Sequence, residues 1–249
     1  MKAKVRAIHR RLLKEYGLPA RPAWAGTVRS VQPVAAETEW QPIDPISELV
    51  NTILSQNTND LNRDRAYRAL KAALPTWEAV RDAPREEVIA AIKPAGLARQ
   101  KGPRIQAVLR RITAERGELN IDFLRDLSID QAKAWLTSLD GVGPKTAAIV
   151  LLFALGRPAF PVDTHIHRVA GRLGLIPPKT SADKAHTILE SLVPVDWYHP
   201  FHLNVITHGR RVCKASNPRC EGCVIRRFCD YYQNQLNKNG TQIRADERG

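Results

Sequence analysis

Three groups of residues have the types and spacing to do chemistry. The chain's four cysteines fall within 17 residues as a C-x6-C-x2-C-x5-C pattern: Cys213, Cys220, Cys223 and Cys229. Four thiolates so close in sequence suit one tetrahedral metal ion or the four corners of an iron–sulfur cube. Zinc usually shows two C-x2-C pairs and this pattern has one, so chemistry alone leaves both open. Disulfides are a poor reading for an intracellular chain. The second group is Gly141-Val142-Gly143-Pro144-Lys145. Its glycines allow a sharp turn through positive φ, and the N–H groups of such a hairpin at a helix start suit a phosphate. Lys145 would lie in the first turn of that helix. Helix potential and partial burial are expected to lower its pKa and enrich the neutral, nucleophilic amine. The plainer reading is a solvated lysine on an ordinary helix. The third group is Asp163, in Val162-Asp163-Thr164, which reads as an N-cap with one carboxylate oxygen left over for chemistry.

These residues need helices to position them. Ser128 with Gln131 is a capping box, and Trp135, Leu136 and Leu139 give its helix an apolar face. Pro144 suits the first position of the next helix, which runs through an apolar stretch to Gly156. Upstream, Asp44 and Pro45 open a helix with Ile46, Leu49, Val50, Ile53 and Leu54 at helical spacing. It ends in the polar patch Ser55–Asp60, where Asn59-Asp60 could cap the next helix. Further helices are expected at about 60–73, 77–82, 84–93 and 99–116, and after Asp163 near 164–173, 182–192 and 198–211. A basic turn around Gly96-Leu97 separates two of them. A short amphipathic helix over 4–16 opens the chain. Residues 19–45 hold five prolines together with Trp24 and Trp40, and read as an extended connection that the tryptophans pin down. Residues 233–249 read as a frayed tail. No stretch up to residue 160 alternates convincingly like a strand, so the fold class is all-α. His165, His167, His199, His202 and His208 fit structural positions better than catalytic ones.

Thirty-eight Lys and Arg against 25 Asp and Glu give a net charge of +13, which suggests a polyanionic partner. No apolar run approaches the length of a membrane span, and the basic N-terminus lacks the apolar core of a secretory signal. An intracellular protein is expected, in the cytoplasm or nucleoid if prokaryotic.

Leu139-Asp-Gly-Val-Gly-Pro-Lys-Thr-Ala followed by Val162-Asp163-Thr164-His165 resembles the helix–hairpin–helix DNA glycosylases, and within them most closely the endonuclease III family. The resemblance covers most of residues 45–232. It implies two helical domains with the active site in the cleft between them: a six-helix barrel domain over 42–157 holding the hairpin, and a second domain in which 1–41 return to pack with 158–232. It also implies a monomer acting on double-stranded DNA that contains a damaged base or abasic site. The family's catalytic lysine maps onto Lys145 and its aspartate onto Asp163. Gly141, Val142 and Gly143 would grip backbone phosphate. Asn57, where the family usually has glutamine, would fill the hole left by an extruded nucleotide, and Leu97 would wedge into the duplex. The cysteine spacing is that of the family's [4Fe–4S] loop, whose Arg226 and Arg227 would meet phosphate. The implied activity is a bifunctional glycosylase and abasic-site lyase acting on an oxidised pyrimidine. Two alternatives stand beside it. One is a monofunctional mismatch glycosylase for uracil, thymine or adenine; the adenine enzymes carry a glutamate where this chain has Asn51. The other is a non-catalytic, structure-specific DNA-binding module.

Overall fold

The computed structural model describes residues 1–19 and 44–236. The tryptophans at 24 and 40, the proline-rich connection and the tail beyond 236 lie outside the described residues. Eleven α-helices with named bounds are present among the described residues, and no strand is. α1 spans Lys2–Tyr16, and buries Val5, Ile8 and Leu12 at helical spacing. α2 is Pro45–Ser55, α3 Asp60–Ala73, α4 Trp77–Asp82, α5 Arg85–Ala91 and α6 Ala98–Arg116. α7 is Ile129–Thr137, α8 Pro144–Ile149, α9 Thr164–Arg172, α10 Ala182–Leu192 and α11 Tyr198–Arg211. None of them is long and apolar enough to cross a membrane.

Local chemistry accounts for most helix starts. Asp44 accepts from the backbone N–H of Ser47 at 2.9 Å, with Pro45 at the first helical position of α2. Asn59 caps α3 through the Asn62 N–H, and Ser128 with Gln131 closes both halves of the capping box on α7. Each such cap is worth about 1 kcal/mol.

The described residues divide into two compact units. Those up to Ala159 that begin at 44 form one; those up to Pro19 together with those from Phe160 onward form the other. The first unit is organised on α2, whose Leu49, Val50, Ile53 and Leu54 are fully buried among residues of α3, α6 and α8. Burial of each such side chain contributes about 1.5–3 kcal/mol. In the other unit α9 and α11 pack on each other, and α1 packs on α11. Phe160, Tyr198, Phe201 and His202 form an aromatic cluster there.

Two expectations change. The helix after the hairpin is not uniform: α8 ends at Ile149, and Val150–Ala154 is a π-helical turn closed by the Leu155 N–H on the Val150 carbonyl at 3.1 Å. Arg125 donates to the carbonyls of Ala154 and Leu155 there, capping the widened end. An apolar run reads alike in either helix type, which is why spacing could not separate them. The tail does not begin at 233: residues 230–236 are helical, and the Gln233 N–H bonds the Cys229 carbonyl at 3.1 Å. The last cysteine thus opens a helix.

α2 also buries a carboxyl, Glu48. Thr52 Oγ1 donates to its Oε1 at 3.3 Å, while Oε2 has no partner. Burial pushes its pKa up to about 7. Its folded pKa lies above the ordinary glutamate value, so the folded state binds more protons between pH 4.5 and 7. Stability is therefore expected to fall as pH rises through that window. Above pH 7 the ionised group costs on the order of 3 kcal/mol. Glu48→Gln should raise the urea midpoint at pH 8 and flatten its dependence on pH between 4.5 and 7; an unchanged profile would assign the dependence elsewhere.

Candidate nucleic-acid interface and active site

The hairpin residues join α7 to α8. Gly141 has φ +72°, the backbone reason for glycine here; a Cβ would meet only the flexible end of the Arg104 side chain from α6, which packs over it. Gly143 differs from expectation: its φ is −89° in extended backbone, and a Cβ would meet nothing. Its importance is as an N-cap without a side chain, which leaves the first-turn amides of α8 to an outside acceptor. Val142 is 4% exposed, and its N–H bonds the Leu139 carbonyl at 3.1 Å. It anchors the turn in the core and cannot offer that amide to phosphate while the turn holds.

Lys145 stands in the first turn of α8, and it is exposed, so the partial burial expected from the sequence is absent. Asp163 caps α9, accepting the Ile166 N–H on Oδ1 at 2.7 Å. Its other carboxylate oxygen makes no hydrogen bond among the described residues. Lys145 belongs to the first compact unit and Asp163 to the second.

Asn57 and Leu97 share an unusual backbone. Both sit at positive φ, +53° and +51°, in the left-handed region that side chains other than glycine seldom adopt. For leucine this conformation is strained by roughly 1–2 kcal/mol. Both side chains are exposed, Leu97 at 47%. Gly96, just before Leu97, has φ +69° and ψ 161°, a conformation open to glycine alone. Strain of this kind is held where surrounding structure imposes it. Here Gln56 Nε2 donates to the Gly141 carbonyl at 2.9 Å, tying the Asn57 turn to the hairpin.

All four cysteines line one open pocket, with Arg172, Tyr231 and Tyr232 around it. Among the described residues, no three His, Cys, Asp or Glu side chains converge as a single metal ion would require. Burial, reinforced by the neighbouring cysteines, pushes the Cys223 thiol up to about 11 and raises Cys220 and Cys229. Bringing four thiolates together here needs positive charge from a bound group. α9 holds the loop from the side: Arg172 Nη1 lies 3.3 Å from Cys213 Sγ and 2.6 Å from the Lys214 carbonyl, and Arg168 Nε donates to the Cys213 carbonyl at 3.0 Å. The same helix thus carries Asp163 at its start and the cysteine loop near its end. Arg226 is partly neutralised by Glu221, at 3.1 Å, whereas Arg227 is exposed and makes no ion pair among the described residues.

The histidines make local bonds. His167 Nε2 lies 2.8 Å from the Thr180 carbonyl and His202 Nδ1 3.0 Å from that of Pro161. His208 is buried between the Tyr16 hydroxyl and Cys223 Sγ, at 2.9 and 3.4 Å, and burial lowers its pKa to about 4. Sequence reasoning missed Gln56, Lys101, Arg104, Arg168 and Arg172. Only the last pair carried a signal, two arginines one helical turn apart in α9.

Known proteins share this fold. The chain is 35% identical to endonuclease III of Thermotoga maritima over 190 residues, covering 76% of this chain and 84% of the relative. A solved non-covalent endonuclease III–DNA complex aligns with TM-score 0.74 and 26% identity over 95% of this chain and 99% of that one. A trapped covalent endonuclease III–DNA intermediate, an estranged-adenine complex, aligns with TM-score 0.73 and 25% identity over 95% and 99%. Residues 50–195 match the HhH-GPD superfamily of base excision DNA repair proteins, and the chain belongs to that family.

Proposed function

We propose that this protein is a bifunctional DNA glycosylase and abasic-site lyase that removes an oxidised pyrimidine. The observation that carries the reading is the combination within one compact unit of the hairpin, exposed Lys145 beside it, and two exposed left-handed turns bearing Asn57 and Leu97. The similarity to endonuclease III, including a trapped covalent DNA intermediate, supports it.

A base stacked in a duplex is out of reach, so the nucleotide must first leave the stack. Leu97 wedges the strand apart, and Asn57 fills the vacated space with a side chain able to hydrogen-bond the opposite base. First-turn amides of α8 and basic side chains such as Arg227 hold phosphates without reading sequence. The Lys145 amine attacks C1′ as the glycosidic bond breaks and the base departs with the bonding pair. Asp163 assists the proton transfers and stabilises the positive charge that develops on the sugar. Opening of the sugar ring gives a Schiff base between Lys145 and C1′. Removal of a C2′ proton then expels the 3′ phosphate by β-elimination, nicking the strand.

What supports a [4Fe–4S] cluster is the number and sequence spacing of the four cysteines and their place around one pocket. Cys213, Cys220, Cys223 and Cys229 would hold it, and its positive irons would keep the four thiolates together. The loop would then present Arg227 at a fixed place. Protein purified anaerobically should carry about four irons and four sulfides per chain; stoichiometric zinc instead would exclude the cluster.

The test of function is a panel of duplexes, each with one lesion: an oxidised pyrimidine, uracil, mispaired thymine, mispaired adenine or an abasic site. Cleavage is expected at the oxidised pyrimidine and the abasic site. Base release without a nick would indicate a monofunctional enzyme, and binding without either would indicate a DNA-binding module.

A further inference from the structure

α6 carries a lysine with no part in the proposed chemistry. Lys101 is 1% exposed, among the largest fully buried side chains of the protein. Its Nζ donates to the Leu54 carbonyl at 2.8 Å and to the Ala95 carbonyl at 3.0 Å. A buried ammonium is costly unless its hydrogen bonds are made. Both acceptors belong to the ends of helical segments, α2 and the short 3-10 turn Lys93–Ala95, where carbonyls lack partners and helix potential is negative. One cation therefore caps two helix ends at once.

The residues just beyond each end give this bond its meaning. Three residues past Leu54 is Asn57; two past Ala95 is Leu97; both stand in left-handed backbone, which strains the leucine. The Lys101 backbone N–H also bonds the Leu97 carbonyl at 2.9 Å, fixing the second turn from its other side. One turn further along α6, Arg104 lies against Gly141 of the hairpin, and Gln56 reaches the same residue. We propose that Lys101 is a positioning residue whose ammonium, clamped between the Leu54 and Ala95 carbonyls, holds the Asn57 and Leu97 turns at one separation so that both enter a duplex together. The proposal rests on the reading of Asn57 and Leu97 as the inserting residues.

Lys101→Met keeps the apolar stem and removes the donors. The full-length variant and unaltered protein are compared on a duplex with 2-aminopurine beside an abasic site, and on the same abasic strand without its complement. A single strand has no stack to open, so its nicking should be unchanged. On the duplex, misplacement of the two turns should lower kcat about 100-fold with KM held, and the 2-aminopurine fluorescence rise should slow in parallel. Duplex nicking at the unaltered rate by a folded variant overturns the proposal, and so does an equal loss on both substrates. Asn57→Ala and Leu97→Ala test the underlying reading separately: if neither alters the fluorescence rise, that reading fails whatever Lys101→Met does. Should Lys101→Met not fold, hydrogen exchange of the unaltered protein decides. Amides of 56–58 and 96–98 are expected to open with one common free energy, and independent opening overturns the proposal.

Discussion

Lys145→Gln should yield no borohydride-trapped adduct on abasic DNA and should lower strand nicking by at least about 1000-fold, or ~4 kcal/mol of transition-state stabilisation. The reason is chemical before it is structural. A carboxamide nitrogen has its lone pair delocalised and cannot form the Schiff base that borohydride reduces and from which β-elimination proceeds. The substitution should be silent in every other respect. Lys145 is exposed in the first turn of α8, while the buried residues that hold that helix are Thr146, Ala147 and Ala148. Fold, thermal midpoint and affinity for abasic duplex should therefore stay near those of the unaltered protein, because the hairpin amides and basic surface are untouched. Trapping and nicking at the unaltered rate would move the nucleophile to another amine or remove the lyase assignment altogether.

Asp163→Asn should slow base release by about 100-fold to 10,000-fold, the usual range for loss of a positioned proton-transfer group. Asp163 caps a helix and, in the proposed mechanism, also serves the chemistry; this substitution separates the two tasks. Its Oδ1 caps α9 at 2.7 Å from the Ile166 N–H, and asparagine caps as well as aspartate does. In the proposed mechanism its charge is what the chemistry uses, and asparagine lacks it. The variant should fold, keep the cysteine loop seated on Arg168 and Arg172, and bind DNA. Asp163→Ala is the control, since it loses the cap too and should be destabilised by about 1 kcal/mol. If Asp163→Asn released base normally while Asp163→Ala lost activity in step with stability, the residue would be a cap and nothing more.

The sequence by itself determined a great deal here. Helix bounds in this chain depend on local groups: Asp44 before Pro45, Asn59 before Asp60, Ser128 before Gln131, Asp163 before Thr164. Such caps act over three residues and are legible without any tertiary contact, which is why the expected helices fall close to α2 through α11. Apolar spacing likewise identified the buried face of α2. Tertiary structure decided what depends on groups distant in the chain. A Leu–Leu–Phe–Ala run reads as α-helix, whereas in the fold Val150–Ala154 is a π turn whose far end Arg125 caps. Val142 reads as a hairpin contact until the core takes its side chain. Most of all, Lys101 reads as one more cation in a basic turn. Its burial depends on two carbonyls, one of them 47 residues away, that α2 and the 3-10 turn leave without backbone partners. Local spacing specifies where a helix ends; only packing specifies what meets the carbonyls it leaves open.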